Sequence, residues 1–410
     1  MLSHRVAPPS LVVLLVLGAC TATPTGPSPL IGDPTGLEAL PGNLLVLGED
    51  GGIFVVRPDG THRRDLAVGS DDVVRSQPTW SPDGTRAAWT ESARGVTFLV
   101  TATTDGAEQT RTGIPFPAVY MAWDPTGSRL ALSGNDDDGS LKLTVSVPGD
   151  ALEVIDEGAP MWIDWHPSGS ELLVHIEDRF ESISVGGGSR RPIAVDGDFR
   201  VGIHAGDGMV FATGSDVGEV LVFGDLDGTV RTELLRVGDP TAFVVDPAGT
   251  RLAVMSTPSA STLALSEVEP GPIQVLDPNR LVVIDLEGAE FTEVAMARAV
   301  AWFWSPAGNR LLYSNQVEVD GATRLQWHTW DGSKSTSYRT FLPTGVFGRD
   351  YLAFFDQYAR SHSFWAPDGS AFVYAGGTDL TNRGIWVQPV SDAPPVRVAL
   401  GELAMWSPDS

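Results

Sequence analysis

"QPTWSPDGTRAAWT" occupies residues 77–90, and a fragment of the same phrase, "AMWSPDS", closes the chain at residues 404–410. Between them the phrase recurs with variation. It reads "WDPTGSRLAL" from Trp123, "WHPSGSELLV" from Trp165, "VDPAGTRLAV" from Val245, "WSPAGNRLLY" from Trp304 and "WAPDGSAFVY" from Trp365, with a degenerate copy, "HAGDGMVFAT", from His204. Successive starts lie 43, 42, 39, 41, 59, 61 and 41 residues apart. A period of roughly 40–45 residues is the length of one four-stranded propeller blade.

The chemistry of the phrase agrees. Pro presets φ for a turn, Asp or Ser bonds the turn backbone, and Gly takes positive φ. The apolar alternation that follows, as in "RLAVMS", reads as a half-buried strand. A Gly- or Asp-rich turn then leads to a third strand, such as 219–228 or 280–288, and a short fourth one, such as 230–235. The motif Trp is expected to wedge between neighbouring blades, where a large flat side chain fills much space.

The two chain ends complete one another. Residues 43–66 carry the second, third and fourth strands of a unit with no WSPDG phrase ahead of them; residues 402–408 supply a first strand and nothing after it. Joined, they make one blade and leave no open sheet edge. The expected fold is therefore all-β, a propeller of four-stranded blades closed by pairing of its N- and C-terminal strands. It has eight blades, or seven if the degenerate copy at His204 does not form one.

Ahead of the repeats, "MLSHRVAPPSLVVLLVLGAC" has a short basic segment, an apolar stretch from Leu11 to Leu17, and small residues before Cys20. That is the layout of an export signal, and the stretch is far below the ~20 residues of a spanning helix. Leu17-Gly18-Ala19-Cys20 resembles the bacterial lipobox. The resemblance implies a signal peptide over 1–19, diacylglyceryl attachment at Cys20, and an extracytoplasmic protein anchored to the bacterial membrane. Cys20 is the sole cysteine, which suits an exported chain with no disulfide framework. Residues 20–42, rich in Pro, Gly and Thr, read as the lipidated Cys and a flexible tether, with the propeller over 43–410.

The WSPDG phrases resemble the TolB-like, WD40-like (PD40) propeller repeat family over residues 43–410. The resemblance implies the fold and leaves the activity open. TolB carries an additional N-terminal α/β domain where this sequence has a tether, so its role in the Tol–Pal system does not transfer.

Formal net charge is −25, and Lys142 and Lys334 are the only lysines. A chain this acidic is repelled by phosphate backbones, which argues against nucleic-acid binding. Recurring features maintain the ring, and features that break the pattern are candidates for function. Arg86, Arg129, Arg251 and Arg310 share one repeat position and are expected to make one local contact each time. The interval after Val245 carries about 18 extra residues near 256–279, a Ser/Pro/Glu-rich surface excursion. The interval after Trp304 carries about 20, "PTGVFGRDYLAFFDQYARSHSF" at 343–364. This insert is dense in aromatic and hydrogen-bonding groups. Tyr351, Asp356, Gln357, Tyr358, Arg360 and His362 are the candidate ligand- or partner-binding residues; the alternative is a short helix capping the propeller with its aromatics in the core.

No catalytic constellation and no cofactor is expected. No His pair has HxxxH or HxH spacing, although His166 and His204 occupy near-equivalent positions in adjacent blades. "GNDDDGS" (134–140) lacks the downstream Glu of a calcium loop, so no metal is expected there. There is no G-x-S-x-G elbow. The residues favour a protein- or ligand-binding or scaffold module, a monomer with an envelope protein partner. Two alternatives stay open: a propeller enzyme of lyase or hydrolase type acting on a saccharide or peptide in the central channel, and an accessory subunit of an envelope transporter complex.

Overall fold

A computed structural model describes residues 31–136, 139–193, 201–215, 218–237, 241–256, 280–296 and 299–408. The turn chemistry of the phrase sets the local geometry. Gly84, Gly127, Gly169, Gly249, Gly308 and Gly369 all sit at φ between 66° and 71°, a region open to Gly without steric cost. Each donates its N–H three residues back, as Gly84 does to Ser81 at 2.9 Å and Gly127 to Asp124 at 2.9 Å. The apolar runs after these turns pair as antiparallel strands.

The described residues form eight blades. Blades 1 to 5 are four-stranded sheets over Val74–Ile114, Ala118–Glu157, Met161–Pro192, Ile203–Arg236 and Thr241–Ala295. The degenerate copy is a complete blade, with its inner strand cut to Ile203–Ala205 and its first turn reduced to Gly206-Asp207. Blade 6 spans Ala299–Pro343 and blade 7 ends at Ala399.

Blade 8 joins the two ends of the propeller. Leu403–Trp406 pairs antiparallel with Leu44–Leu47, in the register Leu44↔Trp406, Leu45↔Met405, Val46↔Ala404, Leu47↔Leu403. Glu402 N donates to Leu47 O and Ser407 N to Asn43 O, both at 2.8 Å. All eight paired side chains are buried. Ahead of the seam, Ile31 bridges to Arg397 on the outer strand of blade 7.

The motif tryptophans lie between blades, and the indole N–H groups of four of them stitch a blade to the one before. Trp80 donates to Met405 O, Trp165 to Ala122 O, Trp304 to Val244 O and Trp365 to Phe303 O, at 3.1 to 3.3 Å. In every case the acceptor precedes the motif residue of the previous blade. The repeat arginines reach forward: Arg86, Arg251 and Arg310 donate to the turn carbonyls of Gly127, Gly308 and Gly369 in the following blade. Arg86 and Arg251 also lie over the Trp123 and Trp304 rings.

Blade 7 breaks the pattern. The last strand of blade 6, Ser335–Pro343, continues past its own sheet: Leu342 pairs with Gly377 and Pro343 with Gly376. It thereby supplies the first half of the inner strand of blade 7. A Cβ on Gly376 would lie 2.6 Å from the Leu342 carbonyl oxygen, so the close approach needs glycine. Continuous pairing would set Phe347 opposite Phe372, but Trp365 is there. Eighteen residues are thus looped out from inside an inner strand, and an inner strand borders the central channel. Residues 257–279 of the expected excursion and the centre of 134–140 lie outside the described residues, as do residues 1–30 with Cys20.

Candidate functional site

The insert opens with Thr344, whose hydroxyl donates to Glu402 O in blade 8. A π-turn (Phe347–Tyr351), a 3-10 turn (Leu352–Phe354) and one α-turn (Phe355–Tyr358) follow. Its apolar residues bury against the inner strands: Phe355 packs on Trp302 and Phe303 of blade 6, at centroid distances of 4.3 and 6.1 Å. The α-turn also lies beside the inner strand of blade 5. The insert is therefore a plug in the channel.

Its polar side chains close on blades 1 to 4. Tyr358, 3% exposed, donates its hydroxyl to Val119 O at 2.8 Å. Gln77 Nε2 donates to the same carbonyl at 2.8 Å and to Tyr358 Oη at 3.1 Å. Gln77 is held at φ 55° in a bulge of the first strand of blade 1, and this strained backbone aims it at the plug. Tyr120 of blade 2 donates to Gln357 O at 3.1 Å. Burial pushes the Tyr358 and Tyr120 hydroxyls well above the usual tyrosine range.

Arg360 reaches furthest. Its Nη1 lies 3.1 Å from Asp164 Oδ2 in blade 3 and donates to His204 O in blade 4 at 3.0 Å. Asp164 Oδ2 also accepts from the His204 backbone N–H and meets His204 Nδ1, both at 2.8 Å. Burial would raise the Asp164 carboxyl, but the Arg360 charge and the His204 contacts outweigh it and hold the group below its ordinary value. The His166 ring meets His204 edge-on at 5.0 Å. Burial, and then the His204 charge, push His166 down.

The six insert candidates thus divide. Tyr351, Tyr358 and His362 are buried, Asp356 and Gln357 are half-buried, and Arg360 is exposed. Burial lowers His362 to about 3; its Nδ1 meets Ser361 Oγ at 2.7 Å, Nε2 makes no hydrogen bond, and the Pro78 carbonyl opposes the shift only in part. Burial raises Asp356 to about 6, with the backbone N–H of Gln357 opposing. The sequence brings His166, His204 and Arg360 into view, but Asp164, Gln77 and Tyr120 emerge only in space. One signal for Asp164 was present: the residue before the motif Trp or Val is Thr79, Ala122, Val244, Phe303, Phe364 or Met405 elsewhere, and a carboxylate only in blade 3.

Among the described residues, no group of three His, Cys, Asp or Glu side chains is placed to hold a metal ion. The Tyr358, Gln77, Arg360, Asp164 and His204 groups satisfy one another, and the exposed residues of the insert include Phe354, 57% exposed, Arg349 and Arg360.

No protein-family model matches the chain, and no curated protein matches it. Solved structures do. A eukaryotic initiation factor is similar over 90% of this chain and 99% of its own, at 10% identity and TM-score 0.53. An oligogalacturonate lyase in complex with manganese is similar over the same shares, at 10% identity and TM-score 0.50. TolB from Acinetobacter baumannii covers 62% of this chain and 63% of its own, at 14% identity and TM-score 0.37. At these identities the whole-length neighbours bear on fold alone, and the TolB alignment carries no argument.

Proposed function

We propose that this chain is an extracytoplasmic lipoprotein, held on a bacterial membrane through Cys20, whose plugged propeller serves as a binding or scaffold module for an envelope protein or ligand. The observation that carries the binding role is the surface of the plug. Phe354 is 57% exposed on a segment whose other aromatics are buried, and it is accompanied by two exposed arginines. Exposed aromatic and Arg side chains are enriched at the energetic centres of protein interfaces. The lipid anchor rests on the Leu17–Cys20 sequence; Ile31 bridges to Arg397 and Leu37 is buried, so the free part of the tether ends before residue 31 and would hold the ring within roughly 20 Å of the bilayer if flexible.

Two experiments test this reading. Labelled palmitate should mark the wild type and not Cys20→Ser; equal labelling ends the lipoprotein assignment. Crosslinking from membranes should lose specific captured proteins in Phe354→Ala/Arg360→Ala. An unchanged set, with the fold intact, makes the plug structural only. The reading as a saccharide- or peptide-processing propeller enzyme draws on the Asp164–His204–His166 cluster. It requires Arg360 to leave Asp164, and turnover of such a substrate that Asp164→Asn abolishes would favour it.

A further inference from the structure

We infer that the rim of blade 8 carries a binding site for a phosphate group. A cavity of about 250 Å³ there is lined by Asn43, Val55, Arg57, His62, Arg64 and Thr104. Asn43 precedes the seam, residues 57–64 form the next hairpin, and Thr104 belongs to blade 1. The site is therefore assembled from three segments of blades 8 and 1, and the seam enters only through the Asn43 backbone, which pairs with Ser407.

Its charge is the reverse of the chain's. Net charge is −25, yet two arginines and a histidine line this one cavity. The nearby carboxylates are otherwise engaged. Asp59 Oδ1 accepts from Thr61 N at 2.9 Å and Thr61 Oγ1 at 2.6 Å. Asp65 is paired with Arg63 at 2.8 Å. Asp105 Oδ1 accepts from Thr103 Oγ1 at 2.6 Å and Ala107 N at 2.9 Å; Asp59 feels the Arg57 charge and Asp105 the Arg64 charge, but among the described residues no carboxylate lies within ion-pair distance of either arginine. Arg64 Nη1 donates to Thr104 O at 3.2 Å, which anchors the side chain and leaves further guanidinium donors. His62 sits at φ 58° with Nδ1 against Thr61 Oγ1 at 2.8 Å. A non-Gly residue in this region marks a position that its surroundings constrain.

Two guanidinium forks, an imidazole and an amide lining one cavity match the several oxygens of a phosphate better than the flat pair of a carboxylate. The acidity of the whole chain opposes long polyanions. At physiological salt that field is screened beyond roughly 8–10 Å, so a single phosphate in the cavity answers to the local cations. The site stands whether or not Cys20 is acylated. The phosphate can come from a soluble ester or from a lipid headgroup.

The full chain carrying Cys20→Ser is titrated with inorganic phosphate, with glycerol phosphate, and with phosphatidylglycerol vesicles against phosphatidylcholine vesicles. Saturable binding of a soluble phosphate identifies a small-molecule site. Binding of phosphatidylglycerol vesicles alone identifies a headgroup site. Either supports the inference. Arg57→Ala/Arg64→Ala should weaken binding by about tenfold or more, while Arg63→Ala, whose partner is Asp65, should change it little. Arg57→Gln alone, at an exposed position, gives a second reading with minimal risk to the fold. Absence of saturable binding with every probe, or undiminished binding by both the double variant and Arg57→Gln, overturns the inference.

Discussion

The motif tryptophans and the insert of blade 7 both hold blades together, in opposite ways. Four of the indoles, those of Trp80, Trp165, Trp304 and Trp365, make the same contact with the blade before them. The insert makes each contact once, and it touches the inner strands of blades 1 to 6 and of blade 8. The first device can lose a member, as at Val245 and His204, because neighbours still carry the pattern. The second has no redundancy. Tyr358, Gln357 and Arg360 each meet their own partner, while Tyr351 Oη and His362 Nε2 are buried without a hydrogen bond, so the seating of the insert depends on single side chains and on pH.

The largest effect is expected where the repeated device coincides with the seam. Trp406 is fully buried and its indole donates to Pro41 O at 2.8 Å rather than to the previous blade. Trp406→Ala should cost ~3–5 kcal/mol in urea unfolding. A loss below ~1 kcal/mol would mean that the seam carries little of the stability.

The insert should respond to acid. His362 has a folded pKa of about 3, below the ordinary histidine value. The unfolded chain therefore binds the extra proton between about 6.5 and 3, and the contribution is present above that window and lost as pH falls through it. The groups around the ring are Ser361, the Pro78 carbonyl, and the Tyr351 and Tyr358 rings. Many carboxylates also titrate on acidification, so the informative quantity is the difference between wild type and His362→Gln. The variant should be less stable at neutral pH and should lose less stability between pH 6.5 and 4. Parallel curves would show that the imidazole is not buried neutral.

A smaller effect of opposite sign is expected at Asp356. Its folded pKa of about 6 lies above the ordinary carboxylate value. Its contribution is thus most favourable at low pH and is lost as pH rises through about 6. Asp356→Asn should raise stability by roughly 1–3 kcal/mol at pH 7.5, discounted for its partial exposure, and by little near pH 4. A destabilised Asn variant at pH 7.5 would place an unseen partner on the carboxylate.

The ring was legible in the sequence because its information is local and repeated. Turn Gly, motif Trp and repeat Arg recur at fixed spacing, and the unmatched halves at residues 43–66 and 402–408 specify their own pairing. Even the degenerate blade at His204 kept enough strand alternation to form. The insert was legible as a break, with its length, composition and aromatic density all apparent. Its placement was not, since nothing local says that Pro343 continues one blade into the next or that Arg360 meets Asp164. The second of these contacts joins residues 196 positions apart. The carboxylate of Asp164, alone among the residues that precede the motif aromatics, was the one legible trace of that meeting.

Closure of the ring by its own ends is the claim on which the account of the fold and of the plug depends. Val46 and Ala404 face one another across the seam. In a Cys20→Ser background, Val46→Cys/Ala404→Cys should form an intramolecular disulfide under mild oxidation, seen as faster migration on a non-reducing gel, because directly opposed Cβ atoms lie ~4.5–5.5 Å apart. Thiols that stay free in the folded protein, while a pair placed across Ala88 and Thr101 within blade 1 oxidises readily, would contradict it.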